Sequence, residues 1–278
     1  MSTFSFVRPF LKWAGGKRYL LPEIKKRLPR TYKTYVEPFL GGGAVLFHLQ
    51  PKQAIVNDIN AEVINVYQVV RDYPDALIVA LEQYRHTASE FYRLRTLDRD
   101  EQAYAALSPV ERAARIIYLN KTCFNGLFRV NAQGQFNAPF GNYNNPNIVN
   151  EEVLRAVSAF LNQHAVDLVA TGFETLLPRI EKGSFVYLDP PYDPVSDTAS
   201  FTGYSLQGFG KQDQRRLKDF CDALHDKGVK FLLSNSATDF IKDLYRGYRI
   251  DTLAVPRTIN AVASKRGKID ELLIRNYA

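Results

Sequence analysis

The chain has 278 residues, 46% of them hydrophobic, which is enough for one large globular domain or for a domain carrying a sizeable insertion. Lys and Arg outnumber Asp and Glu by 7, a balance that favours a polyanionic partner. The two cysteines, Cys123 and Cys221, lie too far apart for a Cys-x-x-Cys metal site and are too few for a disulfide framework; no apolar run reaches membrane-spanning length, and "MSTFSFVRPF" lacks the apolar stretch of a signal peptide, so a reducing, cytoplasmic setting is expected, with no membrane partner.

In chain order, "TYVEPFLGGGAVLFHLQP" (Thr34 to Pro51) reads as a strand, a glycine turn and a helix stopped by Pro51. "QAIVNDIN" is a second short strand ending in Asp58, and Ala61 to Arg71 continues as a helix with Val63, Ile64, Tyr67 and Val70 on one face. The chain thus opens β-α-β-α. The middle changes character. Ser108-Pro109-Val110-Glu111 has the form of a capping box with proline at the first helical position, and predicts a helix to about Lys121. The next 29 residues or so, from Thr122 to Asn150, are rich in Asn, Gly and aromatics; "FRV" and "QFN" flank "NAQG" and predict a hairpin. The α/β pattern then resumes. "VDLVATG" and "FVYLDPP" read as strands joined by a helix around Phe173 to Glu181. A helix around Gln212 to Lys227 stops at Gly228, "VKFLLSN" is the next strand, and "YRIDTLAV" and "DELLIRNY" read as two strands around a basic loop. An α/β sheet is therefore interrupted by a mostly helical insertion, placed at 73–147, leaving 1–72 and 148–278 as the other domain.

Two strand ends carry the chemistry. In "EPFLGGGA", glycines between a strand and a helix permit a tight turn and close approach of a ligand, and Asp58 at the end of the following strand suits ribose hydroxyls. The spacing is not the full G-x-G-x-x-G of dinucleotide enzymes and no Walker lysine pattern is present, so a phosphate-free nucleoside such as S-adenosylmethionine fits better than NAD or ATP. In "FVYLDPPYDP", an apolar strand ends in an aspartate, two prolines and a tyrosine. Ligands of open α/β sheets bind just beyond such carboxyl ends, and the prolines stiffen the backbone there.

Three segments, "FLKWAGGK" (Phe10 to Lys17), "VEPFLGGGAV" (Val36 to Val45) and "DPPY" (Asp189 to Tyr192), together with "YLNKTCFNGLFRVNAQGQFNAPFGNY", resemble in order the motifs of Dam-type DNA adenine-N6 methyltransferases. "SDTASFTGYS" resembles that family's loop near the flipped base. The resemblance spans nearly the whole chain. It implies a Rossmann-like S-adenosylmethionine-dependent methyltransferase sheet with a mostly helical DNA-recognition insertion containing a hairpin. The implied reaction is methyl transfer to adenine N6 in duplex DNA, within GATC by analogy, after base flipping. The implied catalytic residues are Asp189, Pro190, Pro191 and Tyr192. The cofactor set is Trp13, Lys17, Glu37, Phe39, Gly41, Gly43, Asp58, Ile59 and Asp189; the DNA set is Lys12, Phe124, Asn125, Leu127, Arg129, Pro139 and Tyr143. Asn142 stands where some members carry arginine, so one basic DNA contact is in doubt. No metal is implied, and the expected state is a monomer, with a weak dimer on DNA as the alternative.

The chemistry agrees with these residue types. An exocyclic adenine amine is a poor nucleophile, its lone pair being delocalised into the ring. Acceptors around the amine stabilise the geometry that frees the lone pair and the positive charge that builds during transfer. Asp189 and the Pro190 carbonyl suit that task, and Tyr192 suits stacking. The competing readings are cytosine N4 or another amino group as acceptor, a catalytically silent DNA-binding subunit, and an NAD-dependent oxidoreductase. The four histidines show no ligand spacing, Cys123 has no evident catalytic partner, and "SKRGK" reads as a solvated turn.

Overall fold

The computed structural model describes residues 6–13, 17–131, 133–195, 208–256 and 268–278. In chain order they form α1 (Leu21–Lys26), β1 (Tyr35–Glu37), α2 (Ala44–Leu49), β2 (Gln53–Asn57), α3 (Ala61–Asp72), α4 (Pro74–Glu82), α5 (Ala88–Thr96), α6 (Glu101–Ala105), α7 (Pro109–Thr122), α8 (Glu151–Gln163), β3 (Ala165–Val169), β4 (Phe185–Leu188), α9 (Lys211–Asp226), β5 (Lys230–Ser236), α10 (Asp239–Leu244), β6 (Arg249–Pro256) and β7 (Lys268–Arg275). The resulting class is mixed α/β, as the alternating pattern predicts. The chain divides into two compact units, one of 1–16, 40–171 and 203–208, the other of 17–39, 172–202 and 209–278.

In the first unit β2 pairs with β3 in parallel, Gln53 opposite Ala165 and Asn57 opposite Val169. The predicted helix after Asp58 forms as α3, with Asn60 capping it through the Glu62 N–H and Val63, Ile64, Tyr67 and Val70 buried. The capping box at Ser108 also forms: its hydroxyl accepts from the Glu111 N–H, and Glu111 returns to the Ser108 N–H. That box starts α7, which packs against α3, α4 and α5 and is buried from Ala113 to Asn120. The sequence pattern had given the interval before α7 no helix boundaries. Thr87 caps α5 and Asp100 caps α6, two further N-cap signals the chain carries openly. Arg115 is buried in α7 without being orphaned, because Asp98 and the Leu94 and Arg95 carbonyls take its guanidinium.

The predicted hairpin is thinner than a strand pair. Among the described residues only Val130 and Phe136 bridge within it, closed by Asn131 and Gln135. Side chains from the preceding helices supply the rest: Asp98 accepts the Phe136 N–H at 2.7 Å, while Arg99 and Arg95 donate to the Phe136 and Ala138 carbonyls. These groups satisfy backbone atoms that a longer ladder would otherwise pair.

In the second unit the strand order is β1-β4-β5-β7-β6. β1/β4 and β4/β5 are parallel, and β7 runs antiparallel to both β5 and β6. Phe185 to Leu188 are all buried, as are Phe231 to Leu233 and Leu272 to Ile274, the continuous apolar runs expected of strands covered on both faces. α9 buries Leu217, Phe220, Cys221 and Leu224 and gives way at Gly228, as predicted. The helix expected around Phe173 to Glu181 is a 3₁₀ segment, Phe173–Arg179, because Pro178 inside it removes an N–H and disfavours α geometry in the residue before it. The "SDTASFTGYS" segment and Ser264 to Gly267 of the basic turn lie outside the described residues. No helix among the described residues is long and apolar enough to cross a membrane.

Candidate active site

The glycine turn belongs to the first unit. Gly41 has φ +47° and Gly43, which precedes α2, has φ +66°, both left-handed. Space as well as conformation requires glycine at 41: a Cβ there would stand 2.5 Å from Trp13 Nε1. Trp13 therefore lies against the turn, and its indole stacks on Phe128 with centroids 5.5 Å apart. Asp58 ties the turn to the end of β2. Its Oδ2 accepts the Gly41 N–H and its Oδ1 the Asn60 N–H, each at 2.9 Å. Burial pushes the Asp58 carboxyl up from its ordinary value, against these two backbone donors. Each carboxylate oxygen retains a second acceptor site. Next to it Ile59 is 68% exposed, an apolar side chain beside an acid at a strand end. The first unit thus brings Trp13, Gly41, Gly43 and Asp58 together, with Ile59 adjacent.

The first unit also assembles the expected DNA-facing residues. Phe124 N–H donates to the Pro139 carbonyl, Tyr143 Oη to the Cys123 carbonyl, and Lys12 Nζ stands 4.2 Å over the Tyr143 ring. Gly126, at φ +62°, lets the Lys12 stem pass where a Cβ would come within 2.5 Å. Phe124, Asn125, Arg129 and Pro139 are exposed and Leu127 is half-buried, while Phe128 is buried beneath. Arg129 Nε donates to Asn137 Oδ1 at 2.8 Å and its Nη2 to the Asn137 carbonyl at 3.1 Å. Among the described residues its Nη1 group and one Nη2 hydrogen have no further hydrogen-bond partner, and the side chain is exposed.

Asn120, fully buried on α7, is a residue the sequence did not reveal. Its Oδ1 accepts the Lys12 N–H and its Nδ2 donates to the Lys12 carbonyl, both at 2.7 Å, so it holds the Lys12-Trp13 segment across 108 residues. Lys121, beside it, is lowered to about 8 by burial, with Lys12 and Arg8 adding repulsion. Burial pushes the Cys123 thiol up to about 11, which makes it an unreactive packing residue.

The second unit holds the Asp-Pro-Pro-Tyr segment at the end of β4. Lys17 Nζ lies 2.9 Å from Asp189 Oδ1 and 4.5 Å over the Tyr192 ring. Ser234 Oγ donates to the same Asp189 oxygen at 2.9 Å. Burial raises the Asp189 carboxyl, while the Lys17 ammonium and then the Ser234 hydroxyl pull the other way. Gln214 Nε2 takes the Pro191 carbonyl, Asn235 Oδ1 accepts the Asp193 N–H, and Ser236 and Thr238 hydroxyls donate to Asp193. Among the described residues no donor reaches the Pro190 carbonyl. Burial first, then the nearby Asp189 and Glu271 charges, raise the Tyr192 hydroxyl well above its ordinary value, so it stays a donor, and it donates to Glu271 Oε2 at 2.9 Å.

Glu37 is buried and accepts from Tyr35 Oη, and Phe39 packs on Phe173 and Phe209. The sequence reading missed Ser234, Gln214, Asn235 and Glu271. One signal was available for the first and third: "LLSNS" ends a buried apolar strand in three polar residues. Among the described residues no three of His, Cys, Asp or Glu cluster as metal ligands.

A strand-end aspartate with two prolines and a tyrosine in one unit, and a glycine turn tied to an aspartate in the other, are the features on which the resemblance to amino-group methyltransferases rests. The sequence comparisons narrow that class. Residues 13–259 match the family model of the D12 class N6 adenine-specific DNA methyltransferases, and the chain belongs to that family. It is 44% identical over 273 residues to the Type II methyltransferase M1.LlaDCHI of Lactococcus lactis subsp. cremoris, covering 98% of this chain and 96% of the relative. It is 42% identical to the Type II methyltransferase M.MjaIII of Methanocaldococcus jannaschii, over 98% and 99% of the two chains. The DNA adenine methylase of Escherichia coli K12 is 33% identical, over 96% and 94%. The reaction is accordingly methyl transfer from a donor to adenine N6 of DNA.

Proposed function

We propose that the donor is S-adenosylmethionine, that the target lies within GATC in duplex DNA, and that the adenine is extruded from the helix before transfer. The observation that carries this reading is Asp189 at the end of β4, half-buried, its carboxylate fixed by Lys17 and Ser234 beside the ring of Tyr192. The residues at the glycine turn fit the cofactor: Asp58 retains acceptor sites for ribose hydroxyls, and Ile59 offers an exposed apolar surface for a base. Trp13, Lys17, Glu37, Phe39, Gly41 and Gly43 complete that set, and when bound the sulfonium supplies an electrophilic methyl group and its own leaving group.

The chain's own residues prepare the acceptor. Asp189 and the Pro190 carbonyl accept the two amine N–H bonds, which favours the geometry that frees the nitrogen lone pair and stabilises the charge it gains. Tyr192 stacks on the extruded base. Holding the amine in line with the donor supplies much of the acceleration. Extrusion costs a few kcal/mol, offset by stacking and phosphate contacts. The segment 73–147 acts as the target-recognition insertion. Phe124, Asn125, Leu127, Arg129, Pro139 and Tyr143 of that segment form the DNA-facing set together with Lys12, supported by the exposure of Lys12, Phe124, Asn125, Arg129 and Pro139 and by the Phe124–Pro139 and Lys12–Tyr143 contacts. The protein acts as a monomer.

The test is expression in a host without adenine methylation, followed by sequencing of plasmid DNA with a method that reads modified bases. N6-methyladenine in GATC is expected. Methylation at another sequence would remove the site assignment, and an unmodified plasmid would remove the reading as a whole.

A further inference from the structure

Tyr192 follows two prolines that fix φ at 190 and 191, but that backbone does not fix the torsions of its own side chain. The hydroxyl end of the ring is held by Glu271, which accepts from Tyr192 Oη at 2.9 Å, while the Lys17 ammonium stands 4.5 Å over its face. Glu271 sits in β7 opposite Ser236 of β5 on one side and Leu253 of β6 on the other, so two ladders hold its backbone. Leu272, Leu273 and Ile274, which follow it, are fully buried. Glu271 itself is half-buried, and among the described residues the one hydrogen-bond partner of its carboxylate is the Tyr192 hydroxyl. Hydroxyl-to-carboxylate bonds are charge-assisted and therefore stiffer than neutral ones.

We infer that Glu271 is a positioning residue for methyl transfer: it fixes the plane of the Tyr192 ring on which the target base stacks, without touching the substrate itself. The inference rests on the stacking role proposed for Tyr192. Base overlap depends on ring orientation, and the amine reaches the acceptors only from a base seated at one angle. A ring free to turn about two torsions spends less time in that orientation, so the chemical step slows while cofactor affinity stays.

The test uses the full chain, a GATC duplex and the same duplex with 2-aminopurine replacing the target adenine. In single-turnover assays Glu271→Ala and Tyr192→Phe each slow transfer about tenfold, the worth of a hydrogen bond to a charged group. The double variant is no slower than either single one. Glu271→Gln, which keeps an acceptor oxygen, stays near the wild-type rate. With 2-aminopurine, the short emission lifetime of a base stacked on an aromatic ring dominates in the wild type and in Glu271→Gln, and gives way to a longer one in Glu271→Ala and Tyr192→Phe. Wild-type rate and lifetimes in Glu271→Ala, or multiplicative losses in the double variant, would overturn the inference. Tyr192→Phe removes the same bond without altering β7, so a wild-type rate there overturns it even if Glu271→Ala fails to fold. If 2-aminopurine emission in the wild type does not change on binding, the stacking role itself is wrong, and the inference falls with it.

Discussion

Two aspartates stand at the ends of two strands, Asp58 after β2 and Asp189 after β4, and the chain treats them differently. Burial raises both carboxyls. Asp58 is held by backbone N–H groups of Gly41 and Asn60, donors that are part of the fold and cannot swing away. Asp189 is held by side chains, the Lys17 ammonium and the Ser234 hydroxyl. Backbone donors fix a carboxylate where a ligand will find it. Side-chain donors leave its charge and contacts adjustable, which suits a group that must exchange partners when a substrate arrives. The proposed roles match that difference, binding for Asp58 and chemistry for Asp189.

Substitution at each aspartate separates the two. Asp189→Ala is expected to have the largest effect, lowering turnover about 10²–10³-fold or more, the scale of losing a group that stabilises charge in the transition state. Cofactor titration of that variant by calorimetry is expected to stay within a few-fold of wild type. Asp58→Ala should do the converse. Losing hydrogen bonds from a charged acceptor weakens cofactor binding by about 1.5–3 kcal/mol, and turnover at saturating cofactor falls far less. An unchanged cofactor affinity would remove Asp58 from the binding site and dissolve the contrast.

Arg129 sharpens the same distinction on the DNA side. Asn137 holds it through two contacts and leaves its outer fork exposed. That fork matches guanine O6 and N7, so Arg129→Ala is expected to lose about 1–3 kcal/mol of discrimination at one guanine-containing position. Initial rates on single-substitution duplexes at two salt concentrations report this. A uniform loss, with a salt slope smaller by about one, would instead make Arg129 a phosphate clamp. The smallest expected effect is at Lys17, whose ammonium opposes the burial that raises Asp189. Lys17→Met removes that opposition, so the Asp189 carboxyl rises further. In the role proposed for Asp189 the carboxylate is the active form, and the acid limb of the kcat profile is therefore expected to move to higher pH than in the wild type. A limb that stays in place would show that Asp189 does not govern it.

The parts legible in the sequence were those whose signals are local. The capping box at Ser108, the apolar run entering Asp189 and the glycine turn each carry their physics within a few residues, and each forms as read. The 3₁₀ segment at Phe173–Arg179 departs from the expected helix through Pro178, a local signal read too weakly. Among the described residues the hairpin around Arg129 has a single bridge, Val130 with Phe136, and the groups that pair with its backbone, Asp98, Arg99 and Arg95, lie 37 to 43 residues upstream. The supports of the Asp-Pro-Pro-Tyr segment and of Lys12 are farther still. Ser234 reaches Asp189 across 45 residues, Glu271 reaches Tyr192 across 79, and Asn120 holds Lys12 across 108. Residue type and spacing name a group that performs chemistry, whereas the group that aims it is chosen by the register of distant strands and helices.

The most direct measurement is the chemical identity of the product. Duplex DNA treated with purified protein and S-adenosylmethionine is digested to nucleosides and analysed by mass spectrometry, for the wild type and for Asp189→Ala. The wild type is expected to yield N6-methyldeoxyadenosine without N4-methyldeoxycytidine, and Asp189→Ala neither. N4-methyldeoxycytidine from the wild type, or wild-type amounts of N6-methyldeoxyadenosine from Asp189→Ala, would contradict an adenine amine activated by the aspartate at the end of β4.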